Sequence, residues 1–140
     1  MNISAKTDYT LRAVFELAQN RIEGTSSISE IAKRQSIPKR YLEHLLLMLK
    51  KAKLVDSIRG KKGGYVLKRN PESITVGEVI RSVEGPVNIA PKTRVPRKFD
   101  PVSETWESIQ DAIEKLLDSI TVADLLEKKL AAEKTLTYYI

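Results

Sequence analysis

The sequence contains no cysteine among its 140 residues. That excludes disulfides, zinc–thiolate sites, cysteine-ligated iron–sulfur clusters and thiol nucleophiles together. Histidine is nearly absent as well: His44 stands alone, which argues against most metal sites and against histidine-based hydrolytic triads. No apolar run approaches the roughly 18 residues of a membrane span. The opening MNISAKTDYT has no signal-peptide core, so the expectation is a cytoplasmic protein without a membrane partner.

What is present is unevenly distributed. Residues 1–70 carry 15 Lys/Arg against 6 Asp/Glu, whereas residues 71–140 carry 9 against 12. The net charge of +6 therefore divides into a basic half and a mildly acidic one. Such a split suggests that the first half faces a polyanion, although a solvated basic surface would look the same.

Periodicity predicts a helix over Asp8–Asn20, with Leu11, Val14, Phe15, Leu17 and Ala18 on one face and Thr7 or Asp8 as its cap. SISE at 27–30 is a capping box that opens a short helix through Gln35, burying Ile28, Ile31 and Ala32. After the turn Gln35-Ser36-Ile37, Pro38 suits the first position of a third helix through Tyr41, Leu42, Leu45, Leu46, Leu49 and Ala52. Two helices joined by so short a turn match the helix-turn-helix pattern.

A hairpin follows from Lys53 to Arg69, with three glycines and the cations Arg59, Lys61 and Lys62 in the SIRGKKGGYVL stretch. Together these elements predict a winged helix. On the third helix Lys39, Arg40, Glu43 and His44 fall away from the apolar stripe. Glu43 can accept from a cytosine amino group, and Arg40 or Lys39 can reach a guanine or a phosphate. At the hairpin tip Arg59, Gly60, Lys61 and Lys62 suit a phosphate backbone or minor groove. Ser27 and Ser29 at a helix N-terminus can take a phosphate, with capping as the alternative duty. The loop lacks the G-x-x-x-x-G-K-[ST] order of a nucleotide-binding loop.

ITVGEVIRSVEG predicts a further helix, with Thr75 and Glu78 as its capping box and Gly85 at its end. Residues 86–101, with four prolines and four cations, read as an exposed loop. From Ser103 a long helix carries Trp106, Ile109, Ile113, Leu116 and Ile120 at alternating spacings of 3 and 4, a short coiled-coil-like seam. Glu104, Glu107, Asp111, Glu114 and Asp118 line its other face. The seam predicts a homodimer presenting two recognition helices to a palindrome; packing on its own chain is the alternative. TVAD at 121–124 opens the last helix.

The AKTDYTLRAVFELA opening, the YLEHLLLMLKKAKLVDSIRGKKGGYVL block, ITVGEVIRSVEGP and the long C-terminal helix resemble the Rrf-two family of winged-helix transcription regulators over nearly the whole chain. The resemblance implies that Tyr41 belongs to the DNA-binding signature with Glu43, that Glu43 reads bases, and that Arg59 enters the minor groove. It also implies that the long helix crosses its partner in a homodimer. Many members hold a cluster through three cysteines in the loop after the Gly-Pro pair; here residues 86–101 have none, and no cofactor is expected. Asp8 sits in a TDY context that can supply a cluster ligand in one branch, but without thiolates helix capping is the preferred reading. A cluster-free branch governing cysteine metabolism shares the cysteine-free loop and an ending in Tyr-Ile. By that likeness Tyr139 and Ile140 would dock in cysteine synthase, which accepts C-terminal isoleucine peptides; a small-molecule effector is the other option.

The expected fold is thus mainly α with a small β-hairpin. The expected parts are a winged helix-turn-helix over 1–85, the exposed loop 86–101, and dimerisation helices with a tail over 102–140. The expected function is a sequence-specific DNA-binding regulator, a homodimeric repressor without a cluster. The alternative is a non-enzymatic adaptor that binds protein or RNA through the same fold. No acid/base pair suggests an enzyme.

Overall fold

The computed structural model describes residues 3–91, 98 and 100–139, with backbone alone for 137–139. Among these residues the chain forms six helices and one antiparallel hairpin: α1 (Ala5–Gln19), α2 (Ile28–Gln35), α3 (Lys39–Lys51), β1 (Val55–Ile58), β2 (Gly64–Leu67), α4 (Val76–Glu84), α5 (Pro101–Ser119) and α6 (Val122–Tyr139). A single 3-10 turn at Pro71–Ser73 precedes α4. The mainly helical fold with a small hairpin matches the sequence reading.

α1 starts earlier than its periodicity suggested. The cap is Ser4, whose Oγ accepts from the Thr7 N–H at 3.1 Å. Neither Thr7 nor Asp8 caps: the Thr7 hydroxyl donates to Glu84 at 2.8 Å, and Asp8 pairs with Arg12 one turn on at 2.9 Å. α2 begins where the SISE box placed it, with the Ser27 Oγ accepting from the Glu30 N–H at 3.1 Å. Its end is a left-handed Ser36, with the Ile37 N–H returning to Ala32 O at 3.0 Å. This closing motif satisfies the last carbonyls and redirects the chain within two residues. Pro38 is the residue just before α3 rather than its first.

The core gathers Val14 and Leu17 of α1, Ile31 of α2, Leu42, Leu46 and Leu49 of α3, Leu54, Ile74, Val79 of α4 and Val122 of α6, each 2% exposed or less. α3 ends at Lys51, with Ala52, the last residue expected in it, as its C-cap. Tyr41 and Ala52 are exposed, and the Tyr41 ring meets Tyr9 of α1 edge-on at 5.7 Å. One buried charge holds α2 to α1. Glu16 is 4% exposed and accepts from Arg34 Nη1 at 3.1 Å and Gln35 Nε2 at 2.9 Å.

α5 starts at Pro101, two residues before the expected Ser103, because Asp100 caps it by accepting from the Val102 N–H at 3.1 Å. It lies on α4 through Arg81, which donates to both oxygens of Asp118 at 2.6 and 3.2 Å. The TVAD box is reciprocal. Thr121 Oγ1 accepts from the Asp124 N–H at 3.1 Å and the Asp124 carboxylate from the Thr121 N–H at 2.9 Å. α6 then returns to α1, where the Lys129 ammonium lies 5.8 Å from the Phe15 ring centre. Its backbone stays helical through Tyr139; the Tyr139 side chain, Ile140 and loop residues 92–97 and 99 lie outside the described residues.

Replacing Glu16 with Ala removes the acceptor that both α2 side chains share. The expected cost is about 1–3 kcal/mol, the scale for a charged hydrogen-bond partner lost from a buried site. Urea unfolding measures it, and an unchanged midpoint would mean that α2 is held by its apolar face alone.

Candidate nucleic-acid interface

The outward stripe of α3 is built by subtraction. Leu42, Leu45, Leu46 and Leu49 are fully buried, which leaves Lys39, Arg40, Glu43, His44 and Leu47 on the exposed side. Arg40, Glu43, His44 and Leu47 follow one another at i, i+3, i+4 and i+7, a single face of the helix. Leu47 is 58% exposed and was not singled out from the sequence. Its signal was present, since the inward stripe is complete without it. An apolar side chain on a groove-facing stripe can meet a thymine methyl. Tyr41 stands beside this stripe with its ring fixed against Tyr9, so its orientation is set before any ligand arrives.

The hairpin pairs Val55 with Leu67 and Ile58 with Gly64, leaving Arg59 to Gly63 as the loop. Gly60 adopts φ +122, a backbone region that side chains with a Cβ rarely enter. The Gly63 N–H closes the turn on Gly60 O at 2.9 Å. Arg59, Lys61 and Lys62 are exposed. Among the described residues none of Lys39, Arg40, Arg59, Lys61 and Lys62 forms an ion pair, whereas Arg12, Arg34, Arg69 and Arg81 each have an acidic partner. The cations of α3 and the loop are therefore available to an external anion, and the others are committed to the fold.

Three ties fix the loop relative to α3, and sequence reading missed all three. Ser26 forms a one-residue bridge with Tyr65, exchanging backbone bonds of 3.0 and 2.8 Å. The buried Ser26 hydroxyl in turn accepts from the Asn20 side chain at 2.8 Å, so α1 is joined to the hairpin. Thr25 Oγ1 donates to Lys62 O at the loop itself. On the other side Lys50 Nζ donates to Ser57 Oγ at 2.6 Å, which links α3 to β1. Ser27 is half-buried with its Oγ engaged in capping, and Ser29 is exposed beside it.

A helix-turn-helix whose second helix presents a mixed polar face, followed by a fixed basic hairpin, is a winged helix. Winged helices that bind DNA use such a helix for the major groove and such a loop for the flanking backbone or minor groove.

Residues 3–128 match the family model described as Rrf2, iron-dependent transcriptional regulator. The HTH-type transcriptional regulator CymR of Bacillus subtilis is 39% identical over 141 residues, covering all of both chains. Among solved structures, T. potens IscR superposes with a TM-score of 0.80 at 40% identity, over 92% of this chain and 88% of that one. The structure of CymR, the global cysteine regulator of B. subtilis, gives 0.80 at 42%, over 91% and 98%. The chain belongs to the Rrf2 family of transcription regulators. It is a DNA-binding regulator of the helix-turn-helix type, and these relatives carry regulator names rather than enzyme names.

The family description raises the question of iron, and the donor set does not fit it. The chain has no cysteine. Its one histidine, His44, lies on the exposed face of α3. Among the described residues no three His, Asp or Glu side chains gather where an ion could be held. Asp8 is engaged by Arg12.

Gly64 is where the hairpin base is pressed against the Ser26 backbone. A Cβ there would lie 2.5 Å from Ser26 O and 3.1 Å from Ser27 N. Gly64→Ala should therefore force the hairpin off its bridge, destabilising the protein by about 1–3 kcal/mol, the overpacking scale. Thermal unfolding checks this; a variant as stable as the parent would show that the bridge yields freely.

Proposed function

We propose that the chain is a homodimeric repressor that reads a palindromic operator in the cytoplasm without a metal cluster. The observation that carries it is the set of unpaired cations on α3 and the hairpin loop, held at a fixed separation by the Thr25, Ser26 and Lys50 ties. In this reading Arg40, Glu43 and His44 face base edges, with Tyr41 and Leu47 beside them. Lys39, Ser27 and Ser29 meet phosphates, and Arg59 enters the minor groove with Gly60, Lys61 and Lys62 on the backbone. We divide the chain into a reading unit over 1–85, a connecting loop over 86–101 and dimerisation helices over 102–140. No helix among the described residues is long and apolar enough to cross a membrane.

The dimer reading is supported by α5. No residue of α5 is fully buried, and Trp106, Ile109 and Leu116 of its seam are 40%, 38% and 61% exposed. Ile113 and Ile120 are half-buried, and Ile120 is the residue that closes the helix. Leu130 and Leu136 of α6, 58% and 64% exposed, extend the apolar surface beyond the five seam residues. Two-fold pairing through such a surface would set two copies of α3 about one DNA turn, ~34 Å, apart.

The likeness to CymR along the entire length of both chains, a protein whose structure is described as the global cysteine regulator, supports a role in cysteine regulation; in this reading Tyr139 and Ile140 dock in cysteine synthase. Removing Ile140 should then abolish binding to that enzyme in a pull-down. Unchanged binding, or none by the intact chain, would dismiss the partner.

Arg59→Ala should weaken operator binding by roughly 1–3 kcal/mol, the scale for an arginine that reads a groove. Titrating labelled operator at fixed salt measures this, and an unchanged affinity would remove the loop from the interface. Trp106→Asp with Leu116→Asp should yield a monomer by light scattering; a persisting dimer would place the interface elsewhere.

A further inference from the structure

We propose that the cleft between the start of α1, the end of α4 and the middle of α5 is a binding site for a small organic cation: an ammonium group on an apolar body. The cleft has a volume of about 480 Å³. That falls within the roughly 300–1,000 Å³ usual for small-molecule sites. Its walls are apolar and come from three parts of the chain: Ile80 of α4, Val87 and Ile89 of the segment after Gly85, and Ile113 and Leu117 of α5. Its width is set by a rigid contact on one side. Arg81 clamps Asp118, and Gly77 lets α5 approach until a Cβ would lie 3.1 Å from the Leu117 side chain.

Among the described residues one charge lines this cleft. Glu84 Oε1 accepts from the Ser4 hydroxyl at 2.6 Å and from the Thr7 hydroxyl at 2.8 Å, while among the described residues Oε2 accepts no hydrogen bond. The two hydroxyl bonds, with the nearby Lys6 ammonium as a smaller influence, hold the Glu84 carboxyl below the ordinary carboxylate range. It is therefore an anion at any physiological pH, fixed in place and with one oxygen still able to accept. A ligand with an apolar chain and an ammonium head satisfies both parts of the cleft. A carboxylate would be repelled, and a neutral alcohol would gain the apolar contact alone.

The position gives such a site a consequence. Ser4, Thr7, Ile80 and Glu84 belong to the body that carries the winged helix, whereas Ile113 and Leu117 belong to α5. A ligand touching both sides favours one placement of α5 over others, and linkage requires that DNA binding alter its affinity in return. That consequence rests on the DNA-regulator reading; the binding site itself does not.

The test uses the full chain with methyl-labelled isoleucine, leucine and valine, titrated by NMR with hexylammonium chloride, hexanol and hexanoate. Hexylammonium should shift the methyls of Ile80, Val87, Ile89 and Ile113, with hexanol at least about tenfold weaker and hexanoate inert, as loss of one charge-assisted bond requires. Glu84→Gln, which keeps the shape and removes the charge, should bring hexylammonium down to the level of hexanol. Val87→Trp, which fills the cleft, should block both. Equal binding of hexylammonium by Glu84→Gln, no methyl shifts up to ~10 mM ligand, or contacts from a second copy of the chain to the methyls of Ile80, Val87 and Ile89 would each overturn the site. DNA binding measured on the same samples is a separate readout: failure there with hexylammonium still bound would dismiss the regulator reading and leave the site standing.

Discussion

The last turn of α1 is the constraint on which the reading surface depends. There the buried Glu16 side chain takes hydrogen bonds from Arg34 and Gln35 at the end of α2. One turn on, the Asn20 side chain donates to the buried Ser26 hydroxyl, and Ser26 is bridged to the hairpin through Tyr65. Two polar side chains on one helix thus orient both the first helix of the helix-turn-helix and the base of the wing. An isolated buried carboxylate costs several kcal/mol, so its retention here depends on both partners being in place. The geometry of a DNA reader is accordingly built into the protein before DNA arrives.

The same helix organises the rest. Its first turn ties to Glu84 at the end of α4 through Ser4 and Thr7, Tyr9 sets the ring of Tyr41, and Phe15 receives Lys129 of α6. α1 contributes little to the exposed reading surface and touches most of what does. α5, by contrast, is attached along one side through Arg81 and Asp118 and leaves its apolar seam outside. Among the described residues Trp106, Ile109 and Leu116 of that seam stay exposed, which is the surface the proposed pairing would cover.

Much of this was legible in the sequence because the signals were local. The boxes SISE, TVGE and TVAD each mark a helix start found in the structure, and the alternating turn chemistry of RGKKGG marks the loop between β1 and β2. What was not legible depended on partners far along the chain. Periodicity cannot distinguish Ser4 from Thr7 as a cap; Thr7 is drawn away by Glu84, 77 residues later. Glu16 reads as one more charge on an amphipathic helix until α2 folds over it. Thr25 and Ser26 look like linker residues, and only the approach of Gly64 gives them a role. Tyr41 was named for the site from the family resemblance alone, and its packing on Tyr9 of α1 at the surface could not be read from local pattern. The absence of cysteine was fully legible, and it leaves the chain no thiolate for the iron named in its family's description.

The central claim, that the fixed arrangement of α3 and wing reads a particular DNA sequence, is tested most directly by incubating the purified protein with fragments of its own genome and sequencing those retained. The account predicts enrichment of one palindrome, with half-sites about one turn, ~34 Å, apart and retention that falls steeply with salt. Retention without a shared sequence, or no enrichment even at low salt, would contradict it and favour an adaptor that binds protein or RNA.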